Sequence, residues 1–238
     1  MADSIVRIGL LLPEVLGTYG DTGNAQVLCR RLQWRGMEAE VVPVGLGDPV
    51  PSALDIYLLG GGEDGAQALA AAHLRKYPGL RRAVSGGAVV FGVCAGLQVL
   101  GTRFRGFDGI DHDGLGLLDV TTEPGERRAV AELVATSSEL LDNAPLTGFE
   151  NHLGVSKLGA ASEPLGHVVR GTGNGDGTEG AVTDRVVGTY LHGPALARNP
   201  ALADLLLTWT AGHPLPPLDL PEVDRLRAER LAAARRRR

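Results

Sequence analysis

The chain has 238 residues, 44% of them apolar and 21% charged, with a formal net charge of −5. That balance excludes a wholly disordered chain, and no apolar run reaches the roughly 18–20 residues that a membrane-spanning helix needs. Two cysteines, Cys29 and Cys94, without a CxxC pair exclude a disulfide scaffold and a cysteine-rich zinc site.

The charge is uneven. From Asp219 to Arg238 seven arginines stand against four acids, +3, which leaves −8 for the rest. An acidic body argues against nucleic acid as a partner. Met1-Ala-Asp-Ser lacks the basic start and apolar stretch of a secretory signal, so a reducing, cytoplasmic setting is expected.

In chain order, Ile5–Leu12 reads as a buried first strand. A polar stretch, Gly17-Thr-Tyr-Gly-Asp-Thr-Gly, follows, in which Asp21 or Thr22 is placed to cap a helix running to Trp34. Strands are predicted at Glu40–Val44 and Leu54–Leu59, the latter running into Gly60-Gly-Gly. Gly65–Lys76 is Ala-rich and helical until Pro78 stops it. Ala88–Val93 is an all-apolar strand, and a helix starts at Gly96. This alternation predicts an α/β fold, an open, mostly parallel sheet with helices on both faces. Beyond Gly106, strand-like segments at Arg128–Ala135, Val168–Arg170 and Arg185–Leu191 follow one another between glycine-rich turns, and are expected as antiparallel additions to the same domain. Ala195–Ala211 reads as a closing helix. The domain is expected over residues 1–213, with a Pro-rich break and a charged helical tail over 214–238.

The richest segment is Phe91-Gly-Val-Cys94-Ala-Gly96-Leu-Gln98, a G-x-C-x-G between strand and helix. It has the form of a nucleophile elbow with cysteine in place of serine. A helix N-terminus favours a thiolate, which would bring the thiol pKa to roughly 3.5–7.5. The Ala95 N–H would face an oxyanion, and the Gly60–Gly62 loop offers Gly61 and Gly62 as further donors. Cys29, inside a helix, reads as packing. Of six histidines, His192 ends a strand and begins the turn His192-Gly-Pro, where α/β crevices lie. His152, in Gly148-Phe-Glu-Asn-His152, competes with it, whereas His73 sits on a helix that looks exposed.

A Cys elbow, a glycine-rich loop and a late strand-end histidine together resemble the class I glutamine amidotransferases, a flavodoxin-like fold. LLGGGEDGAQALAA, FGVCAGLQVLG, GLGLLD, LTGFENHLG and VGTYLHGP resemble the cobyric-acid-synthase-like branch over roughly residues 5–213. The resemblance implies a glutaminase subunit with Cys94 as nucleophile and His192 as general base. It also implies that Arg128 binds glutamine by its α-carboxylate, with Arg127 as the adjacent rival. Gln98, one helical turn after Cys94, is placed to meet the substrate. The glutamate that many class I members carry two residues after the histidine is Pro194 here. A partner residue or Glu150 is therefore expected to complete the triad.

The implied partner is a MurT-like Mur-ligase homologue in a heterodimer. It would use the ammonia to amidate the D-glutamate α-carboxylate of lipid II, which would place the pair near the membrane. ATP and Mg²⁺ would belong to that ligase, and this subunit would need no metal or cofactor. The competing readings are a glutaminase for cobyrinic or cobyric acid amidation and a catalytically silent binding subunit. The tail from Glu222 to Arg238 reads as a solvated helix, with docking to the partner or to an anionic membrane surface as the sharper options.

Overall fold

In the computed structural model, which describes residues 5–18 and 20–236, the elements follow in order. They begin with β1 (Val6–Leu11), α1 (Gly23–Gln33), β2 (Ala39–Val44), β3 (Ile56–Leu59), α2 (Asp64–Lys76), α3 (Gly79–Ser85), β4 (Val89–Val93) and α4 (Ala95–Leu100). There follow β5 (Arg103–Arg105), β6 (Asp111–Asp113), β7 (Val120–Ser137), β8 (Pro145–Leu158), β9 (Gly166–Arg170), β10 (Thr178–Glu179), β11 (Ala181–Thr183) and β12 (Val186–Thr189). The helices α5 (Ala195–Arg198), α6 (Pro200–Ala211) and α7 (Pro221–Arg236) close the chain.

The first sheet runs β11-β12-β4-β3-β1-β2. It is parallel from β12 to β2, and β11 joins antiparallel at the edge. Strands β3, β4 and β12 are buried along their whole length, as continuous apolar runs covered on both faces must be. The chain steps from β1 to β2 on one side and returns to β3 on the other. Such a reversal opens a crevice beyond the carboxyl ends of the strands. The segments after β1, β3, β4 and β12 all emerge there.

The second half departs from expectation in direction. The strand predicted at Arg185–Leu191 is β12, which pairs parallel with β4 inside the first sheet, Val186 opposite Val90 and Thr189 opposite Val93. Most of the other strands build a second sheet, β10-β9-β7-β5-β6, with β8 paired to β7, antiparallel except where β5 runs parallel to β7. The long β7–β8 hairpin breaks register between Pro124 and Ala129. LTGFENHLG, a segment given no element above, lies within β8.

Three smaller differences have local causes. The closing helix divides into α5 and α6 because Pro200 starts a new helix after Asn199, whose side chain binds the Thr147 backbone on both sides. A short helix, α3, follows Pro78. His73 is buried, and its Nδ1 accepts the Gly47 N–H. The tail helix rests on its own chain: the Arg227 guanidinium donates to the Pro145 carbonyl, and Arg230 lies 3.7 Å from Glu132. Arg237 and Arg238 lie outside the described residues. Among the described residues no helix is long and apolar enough to cross a membrane.

Candidate active site

Cys94 stands between the end of β4 and the start of α4 with φ 54° and ψ −106°. A non-glycine residue holds such a conformation at a cost of roughly 1–3 kcal/mol, and only where its surroundings enforce it. Here the flanking glycines allow it. A Cβ on Gly92 would lie 2.8 Å from the Gly96 carbonyl carbon, and one on Gly96 would lie 2.7 Å from the Leu59 carbonyl oxygen. The Cys94 N–H donates to the Thr189 carbonyl at 2.8 Å, which ties the elbow to the end of β12.

Three residues beyond Thr189, the chain places His192. Its backbone exchanges two hydrogen bonds with Phe149 of β8, at 2.8 and 3.1 Å. Its Nδ1 lies 2.9 Å from Asp21 Oδ2, with both side chains fully buried. The same Asp21 oxygen accepts the Gly61 N–H at 2.9 Å. Gly61 is the hub. A Cβ there would sit 2.9 Å from His192 Cε1, 3.1 Å from Asp21 Oδ2 and 3.6 Å from Cys94 Cβ. Glycine at this point lets the carboxylate, the imidazole and the thiol-bearing residue converge.

Asp21 is the site residue the sequence did not disclose. It precedes α1 and looks like a cap, but no side-chain cap bond forms there and the carboxylate turns to His192 instead. Glu150, the in-chain alternative, is bound elsewhere. Its carboxylate accepts the N–H groups of Thr172 and Gly173 and faces His152. Burial pushes the Glu150 carboxyl up, but the bonds from His152, Gly173 and Thr172 outweigh it and hold it low.

Two further expectations are corrected. The Gly61 N–H serves Asp21, so Gly61 is not an oxyanion donor, whereas Gly62 and Ala95 line the cavity. Second, the thiol is not acidified. Burial, with the nearby Asp21 charge, pushes Cys94 up to about 12, against the Ala95 N–H and Arg128. A helix of one and a half turns does not offset complete desolvation.

The cavity over Cys94 holds about 410 Å³. Gly62, Ala95, Gln98, Arg128 and His152 line it, and Arg127 does not. Arg128 lies within β7 at the register break, and its Nε donates to Asn151 Oδ1 at 2.6 Å. Gln98 faces the cavity, but its carboxamide is shared between the Gln67 amide, 2.6 Å, and the Tyr190 hydroxyl, 2.9 Å. His152 is buried, stacked on Tyr190 at 3.8 Å, with Nδ1 donating to the Gly154 carbonyl.

The family model of the CobB/CobQ-like glutamine amidotransferase domain matches residues 7–200. The chain belongs to that family. It is 34% identical over 217 residues to the lipid II isoglutaminyl synthase (glutamine-hydrolyzing) subunit GatD of Staphylococcus aureus, covering 90% of this chain and 87% of that one. Cobyric acid synthase of Sphingopyxis alaskensis is 33% identical over 180 residues, 72% of this chain and 34% of that enzyme. A solved glutamine amidotransferase, 22% identical, superposes with a TM-score of 0.60 over 86% of this chain and 98% of its own. The amidotransferase family thus accounts for the elbow, the parallel sheet and the crevice beyond it.

Proposed function

We propose that this amidotransferase is the glutaminase subunit of an amide ligase, with Cys94 as nucleophile, His192 as general base and Asp21 as the carboxylate that orients it. The observation that carries the reading is the convergence of Asp21, His192 and Cys94 on Gly61 beneath a cavity that Arg128 overlooks. Asp21 accepts the Nδ1 proton, which makes Nε2 the basic nitrogen. With a thiol pKa of about 12, Cys94 enters the reaction protonated and needs that base.

The sulfur attacks the δ-carbonyl carbon of L-glutamine as His192 takes its proton. Gly62 and Ala95 N–H groups stabilise the oxyanion. His192 returns the proton to the amide nitrogen, the C–N bond breaks and ammonia leaves. Water then attacks the thioester, giving its proton to His192, and the C–S bond breaks to release glutamate and regenerate the thiol. The Arg128 guanidinium grips the substrate α-carboxylate, while Gln98 buttresses the cavity wall.

The ammonia passes to a MurT-like, ATP- and Mg²⁺-dependent ligase that amidates the D-glutamate α-carboxylate of lipid II in the cytoplasm. What supports lipid II over a cobyric acid substrate is coverage: the chain spans most of the GatD relative and about a third of the cobyric acid synthase. The test is glutamate release from L-glutamine by the chain, alone and with a co-expressed MurT-like ligase, with Cys94→Ala as control. Cys94-dependent release, coupled to lipid II amidation in the complex, is the expected result. A folded chain inactive in both states refutes the reading.

A further inference from the structure

We infer that Asn151 is a positioning residue that sets the Arg128 guanidinium for carboxylate capture, and so governs glutamine affinity rather than the chemical step. The inference rests on the glutaminase reading above. Arg128 lies in the stretch between Pro124 and Ala129 where the β7–β8 register shifts, and it is exposed. The ladder does not hold it there, and an unrestrained arginine side chain spreads over many rotamers. Asn151 supplies the restraint. It sits on β8 opposite Val130, lines the same cavity, and accepts the Arg128 Nε–H at 2.6 Å.

The geometry divides the guanidinium. With Nε engaged by the Asn151 oxygen, the Nη1 and Nη2 edge is the one left for a bidentate carboxylate. Asn151 is itself anchored through its neighbours. Phe149 is locked to the His192 backbone by a pair of hydrogen bonds, and Glu150 is fixed by the Thr172 and Gly173 N–H groups. One stretch of β8, Phe149 to Asn151, thus registers the substrate-carboxylate arginine against the base. This assigns a separate task to the asparagine of Gly148-Phe-Glu-Asn-His152.

The test uses the full chain and a glutamine-analogue diazoketone, 6-diazo-5-oxo-L-norleucine, with Cys94 labelling followed by intact-protein mass. The half-saturating concentration reports binding, and the limiting rate reports the chemistry. Asn151→Ala is expected to raise the half-saturating concentration about tenfold, the scale of one charge-assisted hydrogen bond, with the limiting rate within about twofold. In an Arg128→Ala background the same change is expected to add nothing. Asn151→Asp keeps an acceptor for Nε and is expected to stay within about threefold of the parent, so a misfolded alanine variant does not rescue or sink the idea. An unchanged half-saturating concentration in Asn151→Ala, additivity with Arg128→Ala, or an aspartate that behaves like alanine overturns the inference alone. Absence of saturable Cys94 labelling in the parent overturns the glutaminase reading and the inference together. An Arg128→Ala variant that binds normally overturns the carboxylate role of Arg128 and with it the inference.

Discussion

Among the described residues two histidine–carboxylate pairs are buried, and they stand differently towards Cys94. His192 and Asp21 meet beyond the first sheet at 2.9 Å, against the same glycine that abuts Cys94. His152 and Glu150 meet in the second sheet at 3.4 Å. The two pairs differ in what they abut: the first meets Gly61 and Cys94, the second is built into β8. His152 has Nδ1 committed to the Gly154 carbonyl, Nε2 turned to Glu150, and its face stacked on Tyr190. A ring held on every side is a wall. His192 has its Nδ1 fixed by Asp21, which favours the tautomer with the proton on Nδ1 and leaves Nε2 for the base role proposed above. A buried carboxylate beside a histidine is therefore not by itself a sign of catalysis.

The two pairs part furthest under alanine substitution. His192→Ala is expected to lower glutaminase kcat/KM by about 10²–10⁴-fold, the usual worth of a general base. His152→Ala is expected to stay within about tenfold of the parent while melting earlier, because a buried, stacked ring is lost. Steady-state glutamate release and a thermal melt on each variant check this. Equal losses from the two substitutions would erase the distinction.

Asp21→Asn separates the two carboxylates. The amide is nearly isosteric and keeps an oxygen for the Gly61 N–H, but it no longer compels Nδ1 to carry the proton. A loss of about 10²–10³-fold in kcat is expected, with KM little changed. The matching Glu150→Gln change is expected to leave kcat within a few-fold. If Asp21→Asn is silent in the complex with the ligase, the orienting acid comes from the partner and Asp21 serves only to hold Gly61.

How far these pairs were legible follows from how local their cues are. The elbow carries its own punctuation: an all-apolar strand, Cys94, then glycine and helix. Strand-end His192 was legible for the same reason. Asp21 was not, because the residue in front of a helix reads as a cap, and its true partner lies 171 positions away. Strand β8 was hidden differently. Glu150, His152 and Ser156 point inward and are buried, so the polar residues occupy the face that a strand normally fills with apolar ones. The direction of β12 was also beyond local patterning, since a buried run looks the same in either sense.

The depth of Cys94 gives a further way to strain the His192 assignment. A thiol pushed up to about 12 stays protonated at neutral pH. Alkylation of Cys94 by a small neutral haloacetamide is expected to rise about tenfold per pH unit through pH 9, with no plateau near neutrality. A plateau near pH 7 would mean a resting thiolate, and the base would then be needed only for the leaving ammonia and the water.

Two buried carboxylates of the second sheet, Glu150 and Glu179, should separate by the sign of their pH dependence. Glu150 is held low by its hydrogen bonds, so it adds stability that is present above its ordinary value of 4.5 and lost as the pH falls through its folded value. Glu179 is the reverse. It is fully buried, its carboxyl accepts from Thr189 and the Tyr190 N–H, and burial raises it to about 7. The folded state then binds the proton more tightly than the unfolded chain between pH 4.5 and about 7. Stability falls as the pH rises through that window, by up to about 3 kcal/mol. Glu179→Gln keeps a neutral side chain in place and is expected to flatten that slope, whereas Glu150→Gln should leave it intact and remove the acid-side loss. Urea unfolding at a series of pH values reads both, and a Glu179→Gln variant with the parent's slope would show that the buried carboxyl is ionised after all, with Thr189 and Tyr190 holding a charge.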